Sequence, residues 1–501
     1  MNKQTVCITG ATGNMGFESL KQMLEDIDKQ NIIILAMDTK RDRELLKDYM
    51  NKEGLTIRWG DLRNYSDVYE CVKEADIILH IAAFVSPVAD YYPKKAMDIN
   101  FGSTKNIIDA IKELGREEIV KFVYIGTVAE TGDRMPPIHW GRVGDPIKPS
   151  MFDYYAVSKI AAERYVIESG LKYWVSLRQT GIMGKNMASI VDAIMFHNCI
   201  DNVLEYVSDR DSGRLIKNLC KFTATGELDE SFWGHIYNIG GGESCRVSTY
   251  DMYKRLYGDI GFKNLDYVIN PKWYATRNFH GQFYLDSDKL ENYLYFRHDS
   301  IEYFYNAYIE NLGITAGISK IICKLPGGQK LMGDILKKVF IKQARTEHGT
   351  VHFIEDNLEE YIDAYWGSKK AWNEIPERLS DMERFKNWND IKILDHGYDE
   401  SKAEEKLDLE DMKGAAIFRG GRCISSNMKT GDWRQKLKFK CAFGHVFEAS
   451  PRLILEGGHW CPECEMKSWN YGERAKRDPF FAQVWNPLHE MNEVREYPKK
   501  V

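Results

Sequence analysis

Gln4-Thr5-Val6-Cys7-Ile8-Thr9-Gly10-Ala11-Thr12-Gly13-Asn14-Met15-Gly16 is the stretch on which the fold turns. Gln4 to Thr9 is a β-type run, and a helical pattern begins at Gly16, so three glycines spaced three apart join a strand to a helix. In that setting Gly10 permits the tight turn, Gly13 lets backbone approach a pyrophosphate, and Gly16 allows close packing while the helix N-terminus faces the anion. Gly10, Thr12, Gly13, Asn14, Met15 and Gly16 are therefore the expected phosphate cradle of a dinucleotide.

Outward from this loop the alternation persists. β-type runs at residues 4–9, 32–37, 76–82, 119–126 and 173–177 are separated by helical stretches such as 16–30, 100–115 and 155–169. Strands alternating strictly with helices predict an α/β fold with a Rossmann-type, doubly wound parallel sheet. At 501 residues the chain exceeds one hydrophobic core. Three regions are expected: 1–300, which carries the Rossmann core and a substrate lobe within 183–285; 301–412, a mainly helical extension broken at 326–328 by Pro-Gly-Gly; and 413–501, a small cysteine-containing tail.

Hydrophobic residues make up 44% of the chain and charged residues 28%, and no stretch nears the roughly 18 apolar residues of a membrane helix. Net charge is −6, from 68 basic and 74 acidic residues, which argues against nucleic acid and membrane as partners and for a small-molecule substrate. The first ten residues carry no cationic and apolar leader, so the expected compartment is the cytoplasm. Of ten cysteines, Cys7, Cys71 and Cys323 sit in apolar runs and read as core thiols, not as a disulfide framework.

Asp38 follows the second strand, 22 residues beyond Gly16, where a carboxylate accepts hydrogen bonds from an adenosine ribose. Lys40, Arg41 and Arg43 stand beside it and suit a 2′-phosphate, so NAD and NADP are both open. Further on, Tyr155 and Lys159 are four apart on a helix, one turn apart on one face. A tyrosine ionises near pH 10, so using it as a base at neutral pH requires about 4 kcal/mol of phenolate stabilisation, which a neighbouring ammonium helps to supply. Thr127, at the end of the strand before that helix, can hold a carbonyl or alcohol oxygen.

Together these residues resemble the extended short-chain dehydrogenases, the NAD-dependent epimerase/dehydratase family, over residues 4–300. The resemblance includes Gly60-Asp61-Leu62, where the family's Asp approaches the adenine; His80-Ile81-Ala82-Ala83, which lines the cofactor; Asn100; and Tyr237-Asn238-Ile239-Gly240-Gly241-Gly242. It implies that Tyr155 exchanges a proton, that Lys159 lowers the phenol's pKa and holds the nicotinamide ribose, and that Thr127 orients the substrate oxygen during hydride transfer. Homodimers are common in the family. Its dehydratases carry an acidic pair after the Thr, whereas Val128 and Ala129 stand here. Phe196, Phe222, Phe232, Trp233, Trp273, Tyr274 and Phe279 in the lobe suggest an apolar, sterol-like (hydroxysteroid) alcohol or ketone as substrate. The alternatives are a nucleotide-sugar epimerase, or a non-catalytic dinucleotide sensor.

Cys441, His445, Cys461 and Cys464 form two close pairs fifteen residues apart, a donor set able to close a tetrahedral, structural Zn²⁺ site. The tail resembles treble-clef-like zinc ribbons over about forty residues, through Gly444-His445 and Trp460-Cys461-Pro462. Such ribbons bind nucleic acid or protein, but the basic stretch around Trp433 reads as a solvated strand edge. Cys423 is expected to be a spare thiol.

Overall fold

A computed structural model describes residues 3–185 and 192–501. Seven strands, β1 (Gln4–Thr9), β2 (Gln30–Ala36), β3 (Leu55–Trp59), β4 (Ile77–His80), β5 (Lys121–Thr127), β6 (Tyr173–Gln179) and β7 (His235–Ile239), form one sheet. It is parallel throughout, in the order β7-β6-β5-β4-β1-β2-β3. Strands buried on both faces should read as continuous apolar runs, as Ile32 to Leu35 do. Val6, Ile8, Ile34, Leu79 and Val123 enter one core with helix Asn14–Met23. Cys7, Ile33, Ile78 and Phe122 enter another on the opposite face with Ile107, Ile111 and Val166. The strand order reverses between β1 and β4, so a crevice opens at their carboxyl ends.

The two edge strands depart from the sequence reading. In β3 only Leu55 is buried, so it lacks the apolar run that marks its inner neighbours. Residues 235–239 were expected in the substrate lobe, yet they pair with β6 as β7, and helix Asp209–Thr225 packs against helix Asn14–Met23. The interval 183–285 is thus interleaved with the Rossmann core, and its residues 186–191 lie outside the described residues.

The rest of that interval shares a core with the helical extension, where Phe196, Tyr253, Tyr274, Phe304 and Phe340 meet. The extension is helical from Ile301–Leu312 to Lys369–Asn373, after which the chain crosses to residue 408 with two turns of 3-10 helix. In the tail, three antiparallel strands, β8 (Arg422–Cys423), β9 (Leu437–Lys440) and β10 (Val446–Ala449), turn Leu437, Phe439 and Ala449 inward. Those side chains, with Leu453, Ile454 and Trp460, join the core beneath Ala162, Val166 and Trp174. The tail therefore docks on the sheet's helical face through apolar burial. Among the described residues no helix is long and apolar enough to cross a membrane.

Candidate functional site

The crevice at the strand reversal is a cleft of about 640 Å³ lined by Gly10, Thr12, Gly13, Asn14, Met15 and Gly16. Gly10 has φ +75°, and a Cβ there would meet the Ala82 backbone at 2.6 Å; one on Gly16 would meet the Gly10 carbonyl at 2.1 Å. Those two glycines close the loop on itself. Gly13 has ordinary backbone, and its N–H donates to the Gly10 carbonyl at 3.0 Å, which closes the turn. Asp61, Leu62, Ala82 and Ala83 line the same cleft. So do Phe84, Val85, Lys95, Gln179 and Ile182, which motif reading passed over although each lies at or beyond the carboxyl end of β4 or β6.

Five expected cofactor residues, Asp38, Arg43, His80, Asn100 and Lys159, are not among those that line this cleft. The exposed Asp38 carboxylate is taken by a two-pronged ion pair with Arg43, whose guanidinium stacks 4.5 Å from the Trp59 ring centre. Asp61 is likewise engaged by Arg63 at 2.6 Å, while Arg41 both lines the cleft and donates to the Thr12 carbonyl at 3.2 Å. His80 is 1% exposed, with Nδ1 2.9 Å from the Thr9 hydroxyl and Nε2 3.0 Å from that of Thr104. Burial, with the Lys159 charge adding, pushes it down to about 3, so it is a neutral strut beneath the loop. Asn100 accepts from Phe84 N at 2.7 Å and donates to Ser158 Oγ at 2.8 Å, tying the cleft loop to the next helix.

That helix, Tyr154–Ile167, begins under two carboxylates: Asp153 accepts from Ala156 N at 2.8 Å and Asp90 from Tyr155 N at 3.0 Å. Tyr155 lines the cleft. Burial pushes its phenol up, and a hydrogen bond with the Thr127 hydroxyl works in the other direction. Thr127 ends β5 and caps the following 3-10 turn, accepting from Ala129 N at 3.2 Å, while Glu130 accepts from Thr127 N. Lys159 is 1% exposed, its ammonium 4.1 Å from the Tyr124 ring centre. Burial lowers it to about 8, with Glu130 and Glu163 partly offsetting that cost. Tyr155 and Thr127 thus meet at the carboxyl end of the sheet, and the Lys159 ammonium lies over Tyr124 on the same strand as Thr127.

On the far side of Tyr154 lies a second cavity that does not include the glycine loop. Its polar groups include Ser86, Asp90, Asp153, His197, Asn278 and His348, interleaved with aromatic rings. Three of those rings, Phe353, Tyr361 and Tyr365, come from the helical extension. Burial and the Asp153 carboxylate push Asp90 up to about 8, which keeps it protonated at neutral pH. The lobe aromatics behave differently from expectation. Phe196, Phe232 and Tyr274 are at most 1% exposed in packed cores, and Phe279 is the member of the seven that lines this cavity.

Behind the helix, Arg178 on β6 meets Glu163 at 2.6 Å and Glu130 at 3.2 Å, and donates to the Gly457 carbonyl at 2.7 Å. His459 lies 3.1 Å from Glu163. Two residues beyond it, Cys461 joins Cys441, His445 and Cys464, whose donor atoms all lie within 4.8 Å of one another. The His445 Nδ1 is 3.5, 3.5 and 3.4 Å from the sulfurs of Cys441, Cys461 and Cys464. A tetrahedron with Zn–S bonds of about 2.3 Å and a Zn–N bond of about 2.0 Å has edges of about 3.5 to 3.8 Å. The donor set fits that ion, and Gly444, at φ +88°, makes the turn that brings His445 back to Cys441. Cys423 stays half-buried outside the cluster.

The profile of the NAD dependent epimerase/dehydratase family matches residues 6–210. The UDP-glucose 4-epimerase of Rickettsia bellii is 31% identical over 111 residues, 21% of this chain and 32% of its own. An uncharacterised membrane protein of Methanocaldococcus jannaschii is 30% identical over 125 residues, 25% of this chain and 36% of that one. The chain thus spans about a third of the length of these curated relatives. Among solved structures, the Bacillus anthracis dTDP-glucose 4,6-dehydratase, in complex with NAD, has a TM-score of 0.48 at 17% identity, covering 61% of this chain and 96% of that one. The UDP-Glc/GlcNAc 4-epimerase of Campylobacter jejuni gives 0.46 at 15% identity, over 62% and 98%.

Proposed function

We propose that this protein is an NAD(P)-dependent enzyme of the epimerase type acting on a nucleotide sugar, with Tyr155, Lys159 and Thr127 as its proton-transfer set. The observation that carries the choice of substrate is the cavity beside Tyr154: carboxyl, imidazole, hydroxyl and amide groups interleaved with aromatic rings. Polar groups of that kind can share hydrogen bonds with the hydroxyls of a pyranose and the rings cover its C–H faces, a lining that an apolar sterol does not match. The family match over residues 6–210 supports the same reading over the hydroxysteroid one.

The glycine loop and Ala82 would hold the dinucleotide, which supplies a hydride acceptor when bound. Thr127 holds the substrate oxygen through the hydroxyl that also meets Tyr155. Tyr155 takes the proton from that oxygen and returns it after the sugar has turned. Lys159, close to neutrality at about 8, stabilises the phenolate by approaching it from its place over Tyr124. The Cys441, His445, Cys461 and Cys464 site holds a structural Zn²⁺, since four protein donors leave no open position.

The test is to incubate the protein with NAD⁺ or NADP⁺ and a panel of UDP-, dTDP- and GDP-hexoses and to follow the sugar configuration by NMR. Epimer formation without net build-up of reduced nicotinamide is expected. Turnover of hydroxysteroids with stoichiometric reduction, and none of the sugar nucleotides, overturns the proposal. For the ion, about one zinc per chain is expected by elemental analysis, lost on Cys461→Ser substitution.

A further inference from the structure

Two helices of the extension, Ile314–Lys324 and Gly328–Ala344, pack against each other as a hairpin around Pro326 and Gly327. Each is pinned flat on the lobe by its inner side. From the first, Ala316, Ser319 and Cys323 are buried, and the Ser319 hydroxyl donates to the Ile260 carbonyl at 2.8 Å. From the second, Gly333 lies so close to Tyr267 that a Cβ would stand 2.2 Å from its carbonyl oxygen. Because both inner sides rest on the same lobe, both outer sides point away from the molecule in one direction.

Those outer sides are apolar. Ile314, Ile318, Ile321 and Leu325 recur at intervals of four, three and four, one stripe along a helix, and are 83%, 50%, 66% and 58% exposed. Leu331, Ile335 and Val339 continue the surface on the second helix, 58%, 50% and 50% exposed. Residues 314–345 hold seven basic side chains against one acid, Asp334, a net of +6 in a chain whose total is −6. Lys320 and Lys324 flank the first stripe, and Lys338 and Lys342 stand within the second; all four are exposed.

We propose that this hairpin docks on the surface of an anionic lipid bilayer, its isoleucines and leucines seated at the headgroup boundary and its lysines reaching the phosphates. Apolar side chains interleaved with lysines match that surface on both counts. A second copy of the chain would instead bring two +6 faces together. Helices of 11 and 17 residues are about 16 and 26 Å long, and the lysines break any apolar run, so the hairpin lies along the bilayer and does not cross it. The average charge of the whole chain, which argues against a membrane partner, conceals this local excess.

The full-length protein is sedimented with vesicles of phosphatidylcholine alone and of phosphatidylcholine mixed with phosphatidylglycerol, at low and high salt. Binding to the mixed vesicles about tenfold above the neutral ones, weakened by salt, is expected. The variant Ile318→Asp/Ile321→Asp/Ile335→Asp should lose at least tenfold, and Lys338→Glu/Lys342→Glu about tenfold. All five side chains are exposed, so unchanged circular dichroism and melting are expected of both variants. Absence of wild-type binding to the mixed vesicles overturns the proposal, as does equal binding by the triple variant. A dimer in light scattering that the triple variant converts to monomer overturns it too. None of these outcomes depends on turnover.

Discussion

The two ends of the helix Tyr154–Ile167 bury ionisable groups in opposite ways. At its start Tyr155, Lys159 and the nearby His80 are withdrawn from water without an ion-pair partner in contact, and each is driven toward its neutral form: the phenol up, the ammonium to about 8, the imidazole to about 3. At its end Glu163 is as deeply buried but sits between Arg178 and His459. Burial pushes its carboxyl up, and Arg178 and His459 more than reverse this, holding it well below the ordinary range. Burial without pairing favours the neutral form of each group; burial with pairing fixes charges in place. One end of the helix carries the proposed proton-transfer set, and the other meets the tail through Glu163 and His459.

The largest test of that contrast is Tyr155→Phe. It should lower turnover on the order of 10³-fold, about 4 kcal/mol of barrier, while melting temperature and dinucleotide binding stay close to wild type. Turnover within a few-fold of wild type in a steady-state assay removes Tyr155 from the chemistry. Next comes Arg178→Met, which leaves Glu163 and Glu130 without their cation at the paired end. Breaking a buried pair in this way should cost about 3 kcal/mol in urea unfolding. If the midpoint does not move, the rear network is not what holds the tail.

How far the sequence foretells these two ends follows from the range of the signals. The glycine loop is legible because Gly10 and Gly16 answer to local sterics, a positive φ and a close approach within seven residues. Tyr155 and Lys159 are legible because helical spacing sets their common face. His80 is misplaced because a motif gives the position of its backbone, while the side chain turns under the loop to Thr9 and Thr104. The Glu163–His459 contact joins residues 296 apart, and no local pattern encodes it. In the extension the 4-3-4 spacing of Ile314, Ile318, Ile321 and Leu325 is plain, but such a stripe reads equally as core, and only the packing shows that Ala316, Ser319 and Cys323 took the inner side.

The smallest test addresses His80, at the unpaired end. Its pKa is about 3 in the folded protein against 6.5 when free. Above pH 6.5 the ring is neutral in both states and adds no pH dependence. Between 6.5 and 3 the unfolded chain binds a proton that the folded one excludes, so stability falls with pH by up to about 1.4 kcal/mol per unit, reaching about 2 kcal/mol at pH 5. His197 and His489, both at about 4, add slopes of the same sign, so the contribution of His80 is the difference between wild type and His80→Gln, which does not titrate there. The His80→Gln curve of unfolding free energy should be flatter by about 2 kcal/mol between pH 7 and 5. Parallel curves would mean that the ring charges in place, and the strut under the glycine loop would then belong with the paired end of the helix.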